Sequence, residues 1–238
     1  MGTSPENRPC HLQCATVAKA EVSSGIVGYQ RISIPKGFSL YTVTFKNVAG
    51  GNYNVQDIIP YVGDAQLSGM NQVTFQKCDL TGSYGTTYGW LPVRGGWCQG
   101  MTKVTDVTLS DGEAVCFNSK VDDVTIQVSG AVEITPVSVS LSTGFNLVGN
   151  MTPVELNIQD IIPYVGDAQL TGMNQATLQK CGTDGSYGTT YGWLPVRGGW
   201  CQGMTKVTDV TFLPGEAFCI NVKVNGVQLK FKSPVATE

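Results

Sequence analysis

The sequence has few charged residues and almost no group that titrates near neutral pH. Charged side chains make up 14% of the 238 residues, against roughly 25% in typical soluble domains. The net charge of −3 is small and mixed in sign, so neither nucleic acid nor an anionic membrane is expected as a partner. The single histidine, His11, lies outside any recognisable motif, so histidine-based catalysis could serve at most one site.

Long apolar runs and familiar catalytic motifs are also missing. No stretch approaches the roughly 18 consecutive apolar residues of a membrane-spanning helix, so no membrane span is expected. The opening MGTSPENRPC lacks the basic and apolar regions of a secretory signal, which is therefore absent from this sequence or already removed. CxxC pairs, EF-hand loops, P-loops and nucleophile elbows do not occur. These absences predict a protein that is not an enzyme and needs no cofactor or metal.

A long internal repeat dominates the sequence. Residues 82–108, GSYGTTYGWLPVRGGWCQGMTKVTDVT, recur without change as residues 185–211, and 46 of 53 positions match between 57–109 and 160–212. Upstream, IPKGFSL (34–40) aligns with LSTGFNL (141–147), with four fewer residues following in the second copy. We therefore predict an N-terminal arm (1–29), a first domain (30–130) and a second domain (131–238), because each unit has the size of a domain.

Within each unit the pattern is that of β-strands. Short alternating segments rich in β-branched and aromatic residues, such as FSLYTVTF (38–45) and VTIQV (124–128), are separated by turn signals such as SDGE. Only VQDIIPYVG (55–63) and its twin suggest a short helical turn, with Asp57 as its N-cap. The fold class predicted is all-β, with two tandem antiparallel β-sandwich or open-barrel domains.

The order of several short segments resembles a known group of proteins. VGYQRISIPKGFSL, GEAVCF, VDDVTIQVSGAVE and VSLSTGFNLVGN resemble secreted bacterial β-proteins in which GFNL(I/V)GN opens and GEAFW(I/L)…VTVSGEV closes each domain. Cys116 and Cys219 depart from that pattern, since an aromatic residue is expected there. The group has no established activity, so the resemblance implies export and β-architecture without implying chemistry.

Repeated carboxylates are the first candidates for a catalytic role. A pair of them 5–10 Å apart could cleave glycosides. Their positions beside glycines and before an apolar run favour caps and turns instead. The residues are Asp57, Asp64, Asp106 and Glu113, with twins Asp160, Asp167, Asp209 and Glu216.

A block of aromatic residues around an arginine offers a candidate contact surface. Core packing, contact with a neighbouring subunit and stacking on sugar rings are the three interpretations. Because the block is repeated, a sugar site would make the chain a bivalent carbohydrate-binding protein. The candidates are Tyr84, Tyr88, Trp90, Arg94 and Trp97, with Tyr187, Tyr191, Trp193, Arg197 and Trp200.

The eight cysteines predict disulfides and an oxidising compartment, because no zinc-like spacing occurs. Pairing Cys78 with Cys98, and Cys181 with Cys201, would close loops of about 20 residues, each worth roughly 3 kcal/mol of stability. Cys116 and Cys219 would then be buried thiols, or would receive Cys10 and Cys14. Connectivity stays open, since eight cysteines allow about 105 patterns.

The arm and the repeat together suggest a structural role. The strand-forming end of the arm, EVSSGIVGYQ (21–30), could add to the sheet edge of a neighbouring copy. The arm's thiols, Cys10 and Cys14, could then lock this contact as disulfides. The alternative is an arm folded back on its own domain. Two like domains allow head-to-tail stacking, so we expect a secreted, self-assembling subunit of a filament, sheath or surface layer whose partners are copies of itself. The bivalent glycan-binding protein is the alternative function.

Overall fold

A computed structural model describes residues 27–48, 50–78, 83–110, 112–132, 137–182 and 186–232. Throughout these ranges the chain is all-β, and its helical elements are single 3₁₀ turns at Val55–Asp57, Pro92–Arg94, Ile158–Asp160 and Pro195–Arg197. The predicted fold class is confirmed: the sheets fall into two matching sets, one in each half of the chain.

None of the helices in the described residues has the length and apolar character needed to cross a membrane.

The first domain contains twelve described strands. They are β1 (Val27–Ile34), β2 (Gly37–Thr42), β3 (Tyr53–Asn54), β4 (Ile59–Val62), β5 (Ala65–Gln66), β6 (Val73–Cys78), β7 (Tyr84–Leu91), β8 (Gly96–Gln99), β9 (Thr102–Lys103), β10 (Thr108–Leu109), β11 (Ala114–Ser119) and β12 (Val124–Ala131). One sheet has the order β1-β12-β4-β5, and the other has the order β11-β6-β7-β8-β9, with β2 alongside β11. A two-stranded ribbon joins β3 to β10.

The second domain repeats this arrangement. Its strands are β13 (Ser138–Ser140), β14 (Gly144–Gly149), β15 (Leu156–Asn157), β16 (Ile161–Val165), β17 (Ala168–Gln169), β18 (Ala176–Cys181), β19 (Tyr187–Leu194), β20 (Gly199–Gln202), β21 (Thr205–Lys206), β22 (Thr211–Phe212), β23 (Ala217–Val222) and β24 (Val227–Phe231). The sheets run β13-β24-β16-β17 and β14-β23-β18-β19-β20-β21, with β15–β22 as the ribbon.

Each domain has its own hydrophobic core between its sheets. One core is built from residues between 32 and 132, and the other from residues between 137 and 231. The alternation along β12, buried at Val124, Ile126 and Val128, sends every second side chain into the core. Because neither core borrows side chains from the other half, each domain is an independent packing unit.

Two sequence-based boundaries move in the structure. Strand β1 begins at Val27 and pairs antiparallel with β12, so the first domain starts three residues before the predicted position 30. Strand β12 continues to Ala131, the residue predicted to open the second domain. The described part of EVSSGIVGYQ, residues 27–30, therefore lies in the sheet of its own domain. The rest of the predicted arm lies outside the described residues.

The predicted helical turn is shorter than the sequence pattern suggests. It covers Val55–Asp57, and Pro60 already lies in β4. Its N-cap is Asn54, whose side-chain oxygen accepts a hydrogen bond from the backbone N–H of Gln56 at 2.9 Å. The prediction of Asp57 as the cap was wrong, because the turn ends at that residue.

Candidate functional site: the interface between the two domains

The interface is formed by the same residues of the two copies. Its apolar centre is one cluster that takes Leu40, Cys78, Ala114 and Cys116 from the first domain and Leu147, Cys181, Ala217 and Cys219 from the second. The sequence alignment pairs these eight residues as four sets of equivalents. Each domain therefore offers one patch to the same patch on the other, which is the arrangement of an isologous, two-fold interface.

Two glycines show this reciprocity at atomic distance. A Cβ atom on Gly112 of the first domain would lie 2.8 Å from the side chains of Val139 and Met151 in the second. A Cβ atom on Gly215, the twin of Gly112, would lie 2.8 Å from the carbonyl oxygen of Thr42 and 3.7 Å from Ile32 Cδ1. Ile32 is the equivalent of Val139, so the two glycines make matching contacts across the interface.

Hydrogen bonds tie the two domains together near the same point. The backbone N–H of Thr42 donates to the carbonyl oxygen of Gly215 at 2.9 Å. The side-chain amide of Gln30 donates to the carbonyl oxygen of Pro214 at 3.3 Å. Both bonds come from the first domain to one turn of the second, so this turn fixes the relative position of the sheets.

Three thiols at the centre of the interface, those of Cys116, Cys181 and Cys219, are weak nucleophiles near neutral pH. Burial raises the pKa of Cys116 and of Cys219, and burial followed by the neighbouring Cys219 raises the pKa of Cys181 to about 12. A thiol with a raised pKa stays protonated near neutral pH, and the thiolate is the nucleophilic form. These cysteines therefore act as small apolar packing residues.

The predicted disulfide pairs do not fit the strand register. Cys78 pairs with Tyr84 and Cys98 with Gly89, on opposite sides of β7. Tyr84 and Gly89 are five residue steps apart, about 17 Å along the strand, whereas the Cα atoms of a disulfide lie within about 7 Å. The pairing of Cys78 with Cys98 was therefore wrong, and the repeat places Cys181 and Cys201 in the same way. All six described cysteines are thiols, whereas Cys10 and Cys14 lie outside the described residues.

A cavity of about 350 Å³ opens beside the interface. It lies between residues 30–33 of β1 and residues 213–216 of the second domain, and Tyr41 and Cys181 also line it. Its carboxylate, Glu216, is already engaged by Lys180 Nζ at 2.9 Å and by the backbone N–H of Leu213 at 2.9 Å. Burial raises the pKa of Tyr41 to about 12, so the Tyr41 hydroxyl stays protonated near neutral pH.

Two more of the repeated carboxylates, Glu113 and Asp64, have structural roles as well. Glu113 accepts the backbone N–H of Ser110 at 2.9 Å and pairs with Lys77 at 3.0 Å, the same arrangement as at Glu216. Asp64 follows Gly63 in a turn and pairs with Arg31 at 3.1 Å. Within the part of the chain that the structure describes, no three metal-ligating side chains are grouped to hold an ion.

The four tryptophans of the aromatic block are core residues. Trp97 and Trp200 are fully buried, and their indole N–H groups donate to the carbonyl oxygens of Ile58 (2.7 Å) and Ile161 (2.6 Å). Trp90 and Trp193 are 3% and 2% exposed and pack edge-on against them at 5.5 Å. No sugar ring or neighbouring subunit can reach these faces, so their proposed contact role was wrong.

The remaining residues of the block divide between core and surface. Tyr88 and Tyr191 are half-buried, and the ring of Tyr88 stacks on Phe75 at 4.9 Å. Tyr84 and Tyr187 are 57% and 62% exposed. Partial burial, and then the thiols of the interface, raise the pKa of both, which places them at the rim of the domain contact. Arg94 and Arg197 are exposed at the turn before β8 and β20.

Sequence reasoning did not identify the interface itself. Leu40, Gly112, Gly149 and their equivalents gave no motif, because small residues and thiols are ordinary in strands and turns. One signal was present: an odd cysteine on an apolar strand, Cys116, recurs as Cys219 at the position of an expected aromatic residue. A small side chain is required there because the twin domain packs against it.

Comparison with protein-family models, with curated proteins and with solved structures found no match to this chain.

Proposed function

We propose that this protein is a secreted structural subunit that assembles with copies of itself. The observation that carries the proposal is that exposed apolar side chains occur in matched pairs, at equivalent positions of the two domains. The pairs are Phe38 and Phe145, Val62 and Val165, Met70 and Met173, Val93 and Val196, and Met101 and Met204, each residue being 41–71% exposed.

Two of these pairs lie far from the domain interface. Met101 sits in the turn between β8 and β9, and Val93 sits in the 3₁₀ turn that leads into β8. Strands β8 and β9 form the end of the sheet opposite to β11, which carries interface residues. Each domain therefore presents exposed apolar side chains at this outer end of its sheet, and the two sets are copies of each other.

The geometry of the chain makes this duplication useful for assembly. The faces that meet inside the chain are like faces, so the head-to-tail stacking expected from the repeat is not the relation between its own two domains. A body with two equivalent outer surfaces can bind one further copy at each of them. If each contact is again between like surfaces, two-fold contacts inside and between chains alternate, and the assembly can extend chain by chain.

The chemistry of the described residues supports a structural role over a catalytic one. The repeated glutamates are held in ion pairs, the tryptophans fill the cores, and burial raises the pKa values of the interface thiols Cys116, Cys181 and Cys219. The low charge content of 14% adds little electrostatic repulsion between copies packed side by side. Export is supported by the resemblance to secreted bacterial β-proteins.

The test combines the state of assembly with substitutions at the outer surfaces. Sedimentation velocity and negative-stain microscopy of the full chain should show polymers that grow with concentration. Val93→Asp alone, or Val196→Asp alone, weakens one of the two surfaces and should raise the concentration needed for assembly, and the double variant should raise it further. Val48→Asp is the matched control, because Val48 is 66% exposed and has no partner in the set of pairs.

The outcomes separate the parts of the proposal. A wild-type chain that stays monomeric over a wide concentration range contradicts the proposed function. Polymers that persist in the double variant would keep the function and exclude Val93 and Val196 as contacts.

A further inference from the structure

Strand β1 has an open edge. It pairs with β12 through eight consecutive residue pairs, from Val27 opposite Ala131 to Ile34 opposite Val124, without a bulge. In the sheet order β1-β12-β4-β5, no strand of the described chain lies on its other side. In an antiparallel pair, alternate residues turn their N–H and C=O groups away from the partner strand.

The contacts of β12 show which residues of β1 face the open edge. Ala131 exchanges backbone hydrogen bonds with Lys46, at 2.9 and 3.0 Å, and the N–H and C=O of Ser129 both meet the hydroxyl of Tyr53. The backbone N–H and C=O groups of Ala131 and Ser129 therefore point away from β1. Those of the opposite residues, Val27 and Tyr29, point away from β12, toward the open edge.

By the same alternation Arg31 and Ser33 also face the open edge. The carbonyl oxygen of Ser33 already accepts the Tyr41 hydroxyl at 2.7 Å, which closes that end of the edge. Within the described residues, the free part of the edge is therefore the five-residue stretch 27–31, and Tyr29 is its centre.

As far as the described residues show, this edge lacks the features by which proteins usually prevent strand addition. Its sequence, VGYQRISI, has no proline and no lysine, and exposed edges are commonly blunted by those residues, by bulges or by a covering element. Val27 and Tyr29 are 62% and 54% exposed on the outer face. The one charge, on Arg31, is held by Asp64 at 3.1 Å and by the Tyr29 hydroxyl at 2.9 Å.

We propose that β1 of a second copy pairs antiparallel with this edge. The two-fold register places Tyr29 opposite Tyr29 and Val27 opposite Arg31. The symmetry repeats the second pair as Arg31 opposite Val27. These three pairs are of the hydrogen-bonded type, so each exchanges two backbone hydrogen bonds. The register brings no like charges opposite each other and sets the two tyrosine rings side by side, a favourable cross-strand pair. The two four-stranded sheets become one continuous sheet.

A second copy fits this edge because the edge is complementary to itself. Its free stretch is symmetric about Tyr29, and Tyr41 limits it on one side, so a longer unrelated strand would be cut short at Ser33. The inference rests on the proposed self-assembly and names one of its contacts. By itself the contact joins two copies, and the outer surfaces around Val93 and Val196 would extend the assembly.

Tyr29→Lys tests the contact, since it sets two ammonium groups opposite each other at the centre of the proposed pairing. We expect the concentration needed for assembly to rise about tenfold or more. Ser129→Lys is the matched control, because Ser129 is exposed on the same sheet one strand away from the edge. It should assemble like the wild type, and circular dichroism checks that both variants are folded.

Hydrogen–deuterium exchange of the unmodified full chain provides a second, independent readout. The amides of Val27, Tyr29 and Arg31 should exchange quickly in the monomer and become protected on assembly. The amides of Gln30 and Ile32 bond to β12 and should be protected in both states. Assembly that is unaffected by Tyr29→Lys and leaves the three amides unprotected would overturn the strand contact while keeping the proposed function. A chain that never assembles overturns both.

Discussion

Thr42 and Gly149, which occupy equivalent positions in the two copies, touch each other across the domain interface. A Cβ atom on Gly149 would lie 2.7 Å from the Cβ atom of Thr42 and 2.8 Å from its methyl group. Equivalent residues come into contact only where an approximate two-fold axis passes between them. There is room for only one side chain at this point, so the two copies must differ here. The first copy has threonine and the second has glycine.

The first prediction exchanges these two residues. Gly149→Thr should lower the free energy of unfolding by about 1–3 kcal/mol, because the added side chain overpacks the axis. The double variant Thr42→Gly with Gly149→Thr places one threonine at the axis again, now from the other copy. It should be more stable than Gly149→Thr alone, as measured by urea denaturation. Strict additivity of the two single changes would contradict the two-fold relation.

The second prediction concerns the glycines that approach the opposite domain. Gly112 and Gly215 have φ angles of +74° and +78°, and a side chain at either would collide with the other domain. Alanine at each should therefore cost more than the roughly 1–2 kcal/mol of a left-handed non-glycine residue. Gly63→Ala and Gly166→Ala are matched controls, since both have φ of +60° and open space around the added methyl group. Equal losses in all four variants would argue against a tight domain contact.

The third prediction is a loss of stability at alkaline pH. The pKa of Cys181 is raised to about 12 in the folded chain from an ordinary value of 9.0. The folded state therefore binds this proton more tightly than the unfolded state, and the stability it contributes is complete below pH 9. Above pH 9 that contribution falls by about 1.4 kcal/mol per pH unit until about pH 12.

Denaturation in urea at several pH values checks the alkaline loss. Cys181→Ala should be less stable than the wild type at pH 8 and should lose stability more slowly above pH 9. Leu178→Ala, a core truncation without an ionisable group, should keep the wild-type pH dependence. Parallel curves for Cys181→Ala and the wild type would mean that this thiol ionises normally.

The fourth prediction follows from the buried tryptophans. Since all four are at most 3% exposed, fluorescence of the native chain should be blue-shifted and resistant to quenching by iodide. Trp97→Ala should cost about 3–5 kcal/mol in the first domain, and Trp200→Ala the same in the second. Glycan binding should therefore be tested with Tyr84→Ala and Tyr187→Ala, which change exposed residues and should leave the fold intact. Strong quenching by iodide would contradict the core position.

The fold class could be predicted from the sequence because local patterns determine it. Alternating segments such as VTIQV and turn signals such as SDGE lie where β12 and the turn before β11 are found. The repeat predicted two equal domains, since near-identical sequences must pack their cores in the same way. Domain boundaries were less accurate, because β1 and β12 extend past the last strongly patterned residues.

Strands β7, β8 and β9 of the duplicated block were not predicted. YGTTYGWL forms an eight-residue strand although it contains two glycines, which usually weaken strands. The side-chain oxygen of Asn71 occupies the space where a Cβ of Gly89 would be, so a packing requirement overrides the local preference. The interface was hidden for a similar reason, because its small residues acquire a role only when the second domain is present.

The pairing of β1 with β12 also determines how each domain responds to tension. The chain comes into the first domain at Val27 and leaves it at Ala131, which lie directly opposite each other. In the second domain, Phe231 donates its N–H to the carbonyl oxygen of Val137, so the two ends again lie side by side. Force applied along the polypeptide would therefore pull the two end strands of a domain apart sideways and open their ladder one hydrogen-bonded pair at a time, beginning at these ends.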